Sequence, residues 1–207
     1  MIDRLVNELD KGVRTAFGPA PGAERANPAA GIEETELSRS ERDLASRFMR
    51  INHAGEICAQ GLYQGQAMTA RLPAVREKME QAADEENDHI AWTAERIREL
   101  DGHTSYLNPI WYAGSFSLGA LAGMVGDRWS LGFVAETEKQ VVRHLEGHLG
   151  KLSPGDRKSR AILEQMKIDE GKHATAAVSA GAARFPAPIQ TAMKYMSRVF
   201  TSTTYWL

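Results

Sequence analysis

Apolar residues recur every three or four positions along most of the chain, which is the period of an amphipathic α-helix. Prolines such as Pro73 and Pro109 interrupt this pattern and indicate where helices begin. Ser153, Pro154 and Asp156 have the residue types of another helix start, with Ser153 as the N-cap. We predict helices over residues 40–70, 73–100, 110–126, 127–149, 153–181 and 187–207. Because no segment alternates as a strand does, the predicted fold class is all-α, with five to seven helices.

Residues 1–38 are predicted to form an N-terminal amphipathic helix followed by a linker. The apolar positions that follow helical spacing are Ile2, Leu5, Val6, Leu9 and Val13. Acidic and basic residues interrupt them, which excludes a signal peptide. Residues 18–36 hold three of the eight prolines and are typical of a linker. The pattern leaves open whether the helix docks on the protein or lies on a membrane surface.

Four glutamates occupy the apolar faces of predicted helices, where an unpaired carboxylate costs several kcal/mol. They are Glu56, Glu86, Glu138 and Glu170. Each has apolar residues three or four positions away on the same helix. By the same test Glu85 and Glu136 lie on polar faces and are predicted to be solvated. Four inward carboxylates in one chain need a common source of compensating charge.

Two of these helices carry the pattern Glu-x-x-His, as Glu86/His89 and Glu170/His173. Residues three apart share a helix face, so each histidine points inward with its glutamate. The lone glutamate precedes the pattern by 30 residues in the first half and by 32 in the second, which indicates a duplicated helical hairpin. One glutamate from each of two helices and Glu-x-x-His from each of two others is the ligand set of di-iron and di-manganese bundles.

Charge favours a metal pair. Four carboxylates in one core repel each other, and two divalent ions neutralise them, while oxygen and nitrogen ligands suit iron or manganese. The alternative is four independent acids, each paired with an arginine or histidine. His144 and His148 form a weaker metal candidate, because no third ligand is evident. His53 and His144 are instead predicted to orient ligands or relay protons.

Length and composition are those of one globular domain. The chain has 207 residues, of which 43% are hydrophobic and 25% charged. A net charge of −2 argues against a nucleic-acid-binding protein, which usually carries a basic stripe. Cys58 is the single cysteine, so a disulfide within the chain and a cysteine-based metal site are both excluded, as suits a reducing compartment.

The motifs together resemble a known family, the bacterial demethoxyubiquinone hydroxylases of ubiquinone biosynthesis. The resemblance rests on RINHAGE at 50–56, DEENDHIAW at 84–92, ETEKQVVRHLEGHL at 136–149 and DEGKHA at 169–174. It covers about residues 39–207, and the first 38 residues add nothing to it. The implied fold is a ferritin-like four-helix bundle with additional membrane-contacting helices.

The resemblance implies two iron ions and O₂ as co-substrate. Around one iron it places Glu56, Glu86 and His89, and around the other Glu138, Glu170 and His173, with Glu86 and Glu170 as bridges. The implied activity is that of a di-iron monooxygenase, which hydroxylates the benzoquinol ring of demethoxyubiquinol. Its electrons would come from the quinol itself or from NADH.

The uncharged segment 110–126 gains a purpose from this resemblance, because the implied substrate carries an isoprenoid tail that lies in the bilayer. Seventeen residues with four glycines are marginal for spanning a membrane. We expect a helix in the membrane interface, with Trp111, Tyr112 and Phe116 near the headgroups. The alternative is a buried or oligomer-forming helix. The aromatic C-terminus, residues 195–207, fits either surface.

The implied partners are the polyprenyl benzoquinol and the membrane surface, with a second copy of the chain or other enzymes of ubiquinone biosynthesis as further candidates. The implied location is peripheral, on the cytoplasmic face of the cell inner membrane. Two other classes stay open: a ferritin-like ferroxidase or iron-handling protein, and a non-catalytic membrane-associated adaptor with merely paired acids. A rubrerythrin-type peroxidase usually has a cysteine-rich iron domain, which one cysteine cannot form.

Overall fold

The structure is a computed structural model that describes residues 10–15, 17–18, 22–33 and 35–207. Its long helices are α1 (Arg39–Thr69), α2 (Pro73–Glu99), α3 (Asn108–Val125), α4 (Asp127–Leu149), α5 (Arg157–Ser179) and α6 (Ala187–Thr204). Residues 10–15 are helical as well, and none of the described residues lies in a strand. The predicted all-α fold class is confirmed, and each predicted helix between residues 40 and 207 is present.

Helices α1, α2, α4 and α5 form a four-helix bundle made of two hairpins, α1–α2 and α4–α5. The hairpins meet where α2 packs on α5 and α1 on α4. Buried apolar side chains form one large cluster towards each end of the bundle: Met49, Trp92 and Met166 belong to the first, Tyr63 and Leu131 to the second. The predicted ligands fall between these residues along each helix, in the middle of the bundle.

The start of α5 differs from the prediction. Asp156 is the N-cap instead of Ser153, and its Oδ1 accepts a hydrogen bond from the backbone N–H of Ser159 at 3.0 Å. Arg96 from α2 also donates to Asp156 Oδ1, at 2.8 Å. The Ser153 hydroxyl accepts instead from the backbone N–H of Gly155, in a turn before the helix. The contact with α2, which local sequence does not contain, favours the later cap.

Helix α3 lies against α1 at a distance that only small residues permit. At Gly65 of α1 an added Cβ would overlap the carbonyl oxygen of Phe116 on α3. At Gly119 of α3 it would overlap the carbonyl oxygen of Leu62 on α1. Glycine is therefore required on both sides of this contact, where backbone meets backbone.

The other face of α3 is apolar and exposed. Its exposed side chains are Ile110, Leu118, Leu121, Met124 and Val125. The expectation that Tyr112 lies near headgroups is wrong: the residue is only 8% exposed, and its hydroxyl donates to Gln64 of α1. Trp111 is also turned inward, with its ring 5.1 Å from that of Phe200 on α6. Within the described residues, no helix has the length and apolarity needed to cross a bilayer.

The N-terminal part of the chain contacts the bundle. Of the predicted amphipathic positions, Val13 is exposed, and the others lie outside the described residues. Residues 22–33, predicted as part of a linker, form a segment that we call the N-terminal strap. In the strap Ala29 is buried, and Asn27 Nδ2 donates to Glu95 Oε2 of α2 at 2.6 Å. The strap is thus docked by specific side-chain contacts.

The close contact between α1 and α3 leads to a stability prediction. Gly65→Ala should lower the free energy of unfolding by about 1–3 kcal/mol, because the methyl group forces two helix backbones apart. The matched control is Gly147→Ala in α4, where an added Cβ meets nothing within 4 Å and stability should be unchanged or slightly higher. Urea unfolding followed by circular dichroism measures both. Equal stability of the two variants would contradict the prediction.

Candidate metal centre

The six predicted ligands come together in the middle of the bundle. Helix α1 supplies Glu56, α2 supplies Glu86 and His89, α4 supplies Glu138, and α5 supplies Glu170 and His173. All four glutamates are at most 3% exposed. Each is buried because it shares a helix face with core residues, as its spacing predicted. Their role as metal ligands stays a prediction.

Each histidine faces the same two glutamates. His89 Nδ1 lies 3.1 Å from Glu86 Oε2 and 3.2 Å from Glu170 Oε1. His173 Nδ1 lies 3.5 Å from Glu86 Oε1 and 3.2 Å from Glu170 Oε2. Glu86 and Glu170 therefore each direct one oxygen towards each histidine. This is the geometry expected of a carboxylate shared between two neighbouring centres.

Glu56 completes the surroundings of His89, with Oε2 3.5 Å from Nδ1 of that ring. The ligand atoms of one tight group all lie within 4.8 Å of one another, and its members are Glu56, Glu86, His89 and Glu170. Burial and then the charge of Glu86 raise the pKa of Glu56 well above its ordinary value. For Glu86 burial acts in the same direction, but the close contacts with the imidazoles of His173 and His89 outweigh it and lower the pKa.

Glu138 lies beside this tight group and is held by a tyrosine. The hydroxyl of Tyr63 donates to Glu138 Oε1 at 2.6 Å. Burial, followed by the charges of Glu170 and Glu86, raises the pKa of Glu138 well above its ordinary value. The pKa of His173 is raised to about 12, because its contacts with Glu170 and Glu86 outweigh burial. The cluster is thus continuous from Glu56 to Glu138, and its carboxylates repel each other throughout.

A second carboxylate holds the far nitrogen of each histidine. His89 Nε2 lies 3.3 Å from Asp169 Oδ2, and His173 Nε2 lies 2.7 Å from Glu85 Oε2. Asp169 and Glu85 directly precede Glu170 and Glu86, so each Glu-x-x-His helix also holds the histidine of the other helix. Glu85 was predicted to be solvated, and its side chain is 41% exposed, but it does contact the site. Such carboxylates fix the ring orientation of metal-ligating histidines.

The arrangement fits a cation better than internal ion pairs. Glu86 Oε1 and Glu170 Oε1 are buried and accept no hydrogen bond from any residue the structure describes. His89 Nδ1 has oxygens of Glu86, Glu170 and Glu56 within 3.5 Å, although one N–H cannot serve three acceptors. Positive ions between these atoms would compensate the buried charge. Carboxylate and imidazole ligands without thiolate suit iron or manganese.

Three contributors to the site went unnoticed in the sequence. Tyr63 follows Glu56 by seven residues on the same helix face. From the sequence alone it has the pattern of an ordinary aromatic core residue. Asp169 stands in a charged stretch, where adjacency to Glu170 was the only available signal. Arg25 comes from the strap, and its Nη2 lies 3.5 Å from His89 Nε2. No local pattern indicates that contact, because 64 residues separate the two.

His53 and His144 form no described hydrogen bond with the six predicted ligands. Asp169 and Glu85 are the side chains that contact the far nitrogens of His89 and His173, and the role of His53 and His144 stays a prediction. Burial lowers the pKa of both His53 and His144 to about 4, so both rings are neutral near pH 7. The ring of His148 lies 4.0 Å from the ring of His144. The Nδ1 atom of His148 lies 3.0 Å from Oδ1 of Asn52 on α1.

An apolar cavity of about 320 Å³ leads to the cluster, and we call it the main cavity. Three carboxylates, Glu56, Glu138 and Glu170, lie at its inner end. Its apolar walls come from α1, α3, α4 and α6 and include Trp111, Leu118, Phe133, Met196 and Phe200. Leu118 and Met196 are themselves exposed, so the cavity opens between α3 and α6. It is large enough for one aromatic ring with substituents.

A second cavity, of about 220 Å³, reaches the cluster beside His173. Its lining is mostly apolar but includes the polar side chains of Lys78, Gln81, Glu85 and Lys172. The side chain of His173 is 10% exposed, whereas that of His89 is fully buried. The two halves of the cluster are alike in ligands and differ in access from solvent.

Comparison of the sequence with known proteins shows which family the chain resembles. Residues 43–204 match the family model described as "Ubiquinone biosynthesis protein COQ7". A protein of Nitrosococcus oceani is 56% identical over 206 residues, which cover 100% of this chain and 96% of the relative. A protein of Chromohalobacter salexigens is 57% identical over 205 residues, with 99% and 96% covered.

A third relative, from Stutzerimonas stutzeri, is 57% identical over 203 residues, which cover 98% of this chain and 94% of the relative. All three relatives are named 3-demethoxyubiquinol 3-hydroxylase. These alignments span nearly the whole chain, so the similarity extends into the N-terminal segment that the motifs left out. The chain belongs to the ubiquinone biosynthesis protein COQ7 family.

Proposed function

We propose that the protein is a 3-demethoxyubiquinol 3-hydroxylase, an O₂-dependent monooxygenase that adds a hydroxyl group to a polyprenyl benzoquinol ring. The observation that carries this proposal is the main cavity, which is apolar, fits one ring and ends on Glu56, Glu138 and Glu170. The names of the relatives support the same substrate. In the reaction one oxygen atom enters the ring and the other leaves as water, with two electrons supplied by a reductant.

The six-residue cluster would hold two iron ions. Glu56, Glu86 and His89 would surround one ion, and Glu138, Glu170 and His173 the other. The shared positions of Glu86 and Glu170, each with one oxygen towards each histidine, support a bridging role for both. When bound, the ions supply the electron transfer that activates O₂. Asp169 and Glu85 keep the imidazoles oriented for that binding.

The cavity residues orient the ring and exclude water. Cys58 lies in the wall as a neutral thiol, since burial raises its pKa to about 12. His144 Nε2 is buried in the same wall and has no hydrogen-bond partner among the described residues. As a neutral imidazole it can accept a hydrogen bond from a ring hydroxyl of the quinol. This bond would fix which edge of the ring faces the cluster.

The surface around the mouth of the main cavity supports peripheral membrane binding. The exposed apolar residues of α3 adjoin those of α6, among them Met196 and Val199. Helix α6 carries Lys194 and Arg198 and no acidic residue, and α3 carries no charge. Such a surface suits an anionic bilayer, into which an isoprenoid tail would extend from the cavity. This surface supports peripheral binding, and we propose the cytoplasmic face of the cell inner membrane as the location.

The six-residue cluster should be required for hydroxylation. Protein loaded with Fe²⁺ without oxygen, then given demethoxyubiquinol and O₂, should yield the hydroxylated quinol. Glu170→Ala should lower turnover at least about a hundredfold with helicity unchanged, because it removes a ligand shared by both ions. The matched control is Glu164→Ala, an exposed residue of the same helix, which should keep full activity. Unchanged turnover in Glu170→Ala would refute the assignment.

Metal content and quinone content separate the alternatives. Fewer than about one iron or manganese per chain would exclude both metal-based functions and favour the adaptor. A ferroxidase would use the same ligands without needing the main cavity. A strain lacking the gene should accumulate the demethoxy precursor, and a normal ubiquinone pool in that strain would count against the hydroxylase.

His144 provides a prediction about substrate orientation. His144→Leu should lower kcat/KM for the quinol about tenfold, because a hydrogen bond to the ring is lost while iron content stays at the wild-type level. His144→Gln, which keeps a hydrogen-bonding group, should recover part of that loss. Steady-state kinetics with iron analysis measures both effects. Wild-type kinetics in His144→Leu would show that the ring does not contact His144.

The membrane surface can be tested with vesicles. Leu121→Glu combined with Val199→Glu should weaken binding to vesicles that contain anionic phospholipid, since both side chains are exposed on the proposed surface. Val178→Glu is the matched control, because this exposed valine lies on α5, whereas the proposed surface is formed by α3 and α6. The control should bind vesicles as the wild type does. Vesicle flotation measures the bound fraction. Equal flotation of all three proteins would exclude this surface.

A further inference from the structure

Arg25 of the N-terminal strap holds two carboxylates on different helices. Its Nε donates to Asp88 Oδ2 of α2 at 2.5 Å, and its Nη1 donates to Asp169 Oδ2 of α5 at 2.7 Å. The backbone N–H of Glu24 also donates to Asp88 Oδ1, at 2.7 Å. Arg25 thereby joins the two Glu-x-x-His helices across the outside of the cluster. Charge-assisted hydrogen bonds of this kind are among the strongest in proteins.

The same contacts enclose His89. Asp169, held by Arg25, lies 3.3 Å from His89 Nε2, and Arg25 Nη2 lies 3.5 Å from that nitrogen. The guanidinium stacks on Trp92, with its central carbon 4.8 Å from the ring, and the Trp92 ring lies 5.4 Å from the His89 ring. Rotation of His89 away from the cluster would require all of these contacts to break.

His173 occupies the equivalent position in the other half and is not enclosed in this way. Its outer carboxylate, Glu85, is 41% exposed, and the other described hydrogen bond to that carboxylate comes from Gln81 of the same helix. The ring of His173 lines the second cavity, and its side chain is 10% exposed. No arginine within the described ranges joins Glu85 to another helix. The two histidines therefore have equivalent ligand surroundings and unequal freedom to move.

We propose that Arg25 is a positioning residue that locks His89, so that a metal ion beside His89 is retained much longer than the ion beside His173. This inference rests on the metal site proposed above and adds an order of release to it. An ion leaves when its histidine rotates away or when water replaces a ligand. The strap contacts oppose rotation of His89, whereas no strap contact within the described residues holds His173, whose side chain is also partly exposed.

The test measures iron release to a chelator. Protein loaded anaerobically with two Fe²⁺ per chain is mixed with excess ferrozine, and the coloured complex is followed over time. Wild-type protein should release its iron in two phases, with one ion per phase. Arg25→Ala should speed the slow phase about tenfold or more and leave the fast phase unchanged. Arg25→Lys, which keeps the charge without the fork of donors, should give an intermediate slow phase.

Arg157→Ala is the matched control, because Arg157 Nη1 donates to the carbonyl oxygen of Glu33 at the other end of the strap. It should release both ions as the wild type does. Equal acceleration of both phases in Arg25→Ala would indicate general loosening and overturn the inference, as would an unchanged slow phase. Circular dichroism checks folding, and if Arg25→Ala is not helical the Arg25→Lys comparison decides. Protein that takes up no iron contradicts the proposed function, whereas two ions released in one phase contradict this inference alone.

Discussion

The structure depends on the burial of four carboxylates in the middle of a helical bundle. Each is almost inaccessible to water, and this burial, followed by mutual repulsion, raises the pKa of Glu56 and Glu138. Such a core is stable only when the negative charge is neutralised, by protons on the carboxylates and histidines or by metal ions. The apolar clusters above and below supply the folding energy that this polar layer does not. The rest of the molecule can be understood as support for that layer.

The residues around the carboxylate cluster also determine from which sides the cluster is accessible. On one side the close contact of α1 with α3 forms part of the wall of the main cavity, which is lined mostly by apolar side chains and is large enough for an aromatic ring. On another side a smaller cavity reaches His173, whose side chain is 10% exposed. On the third side Arg25 closes access to His89. Two cavities therefore reach the same cluster from different directions, and the strap covers it on the side of His89.

The sequence predicts the parts of this structure that arise from spacing along one helix. The helices and the inward direction of Glu56 and Glu138 follow from apolar periodicity, since the side-chain direction in a helix is fixed by position. Features that depend on contacts between distant segments were missed. Asp156 caps α5 with help from Arg96, Tyr112 turns inward to Gln64, and the strap docks through Arg25. In each pair, the sequence around one residue does not indicate the residue that it contacts.

The crossed contacts of Asp169 with His89 and of Glu85 with His173 have a consequence for the two halves of the chain. Each half contributes one ligand hairpin and then one apolar helix, α3 or α6, to a common cavity wall. Neither half contains a complete environment for its own histidine, because the outer carboxylate comes from the other half. The two hairpins must therefore pack together before either histidine has both an inner and an outer carboxylate, so this site forms only when the whole bundle assembles.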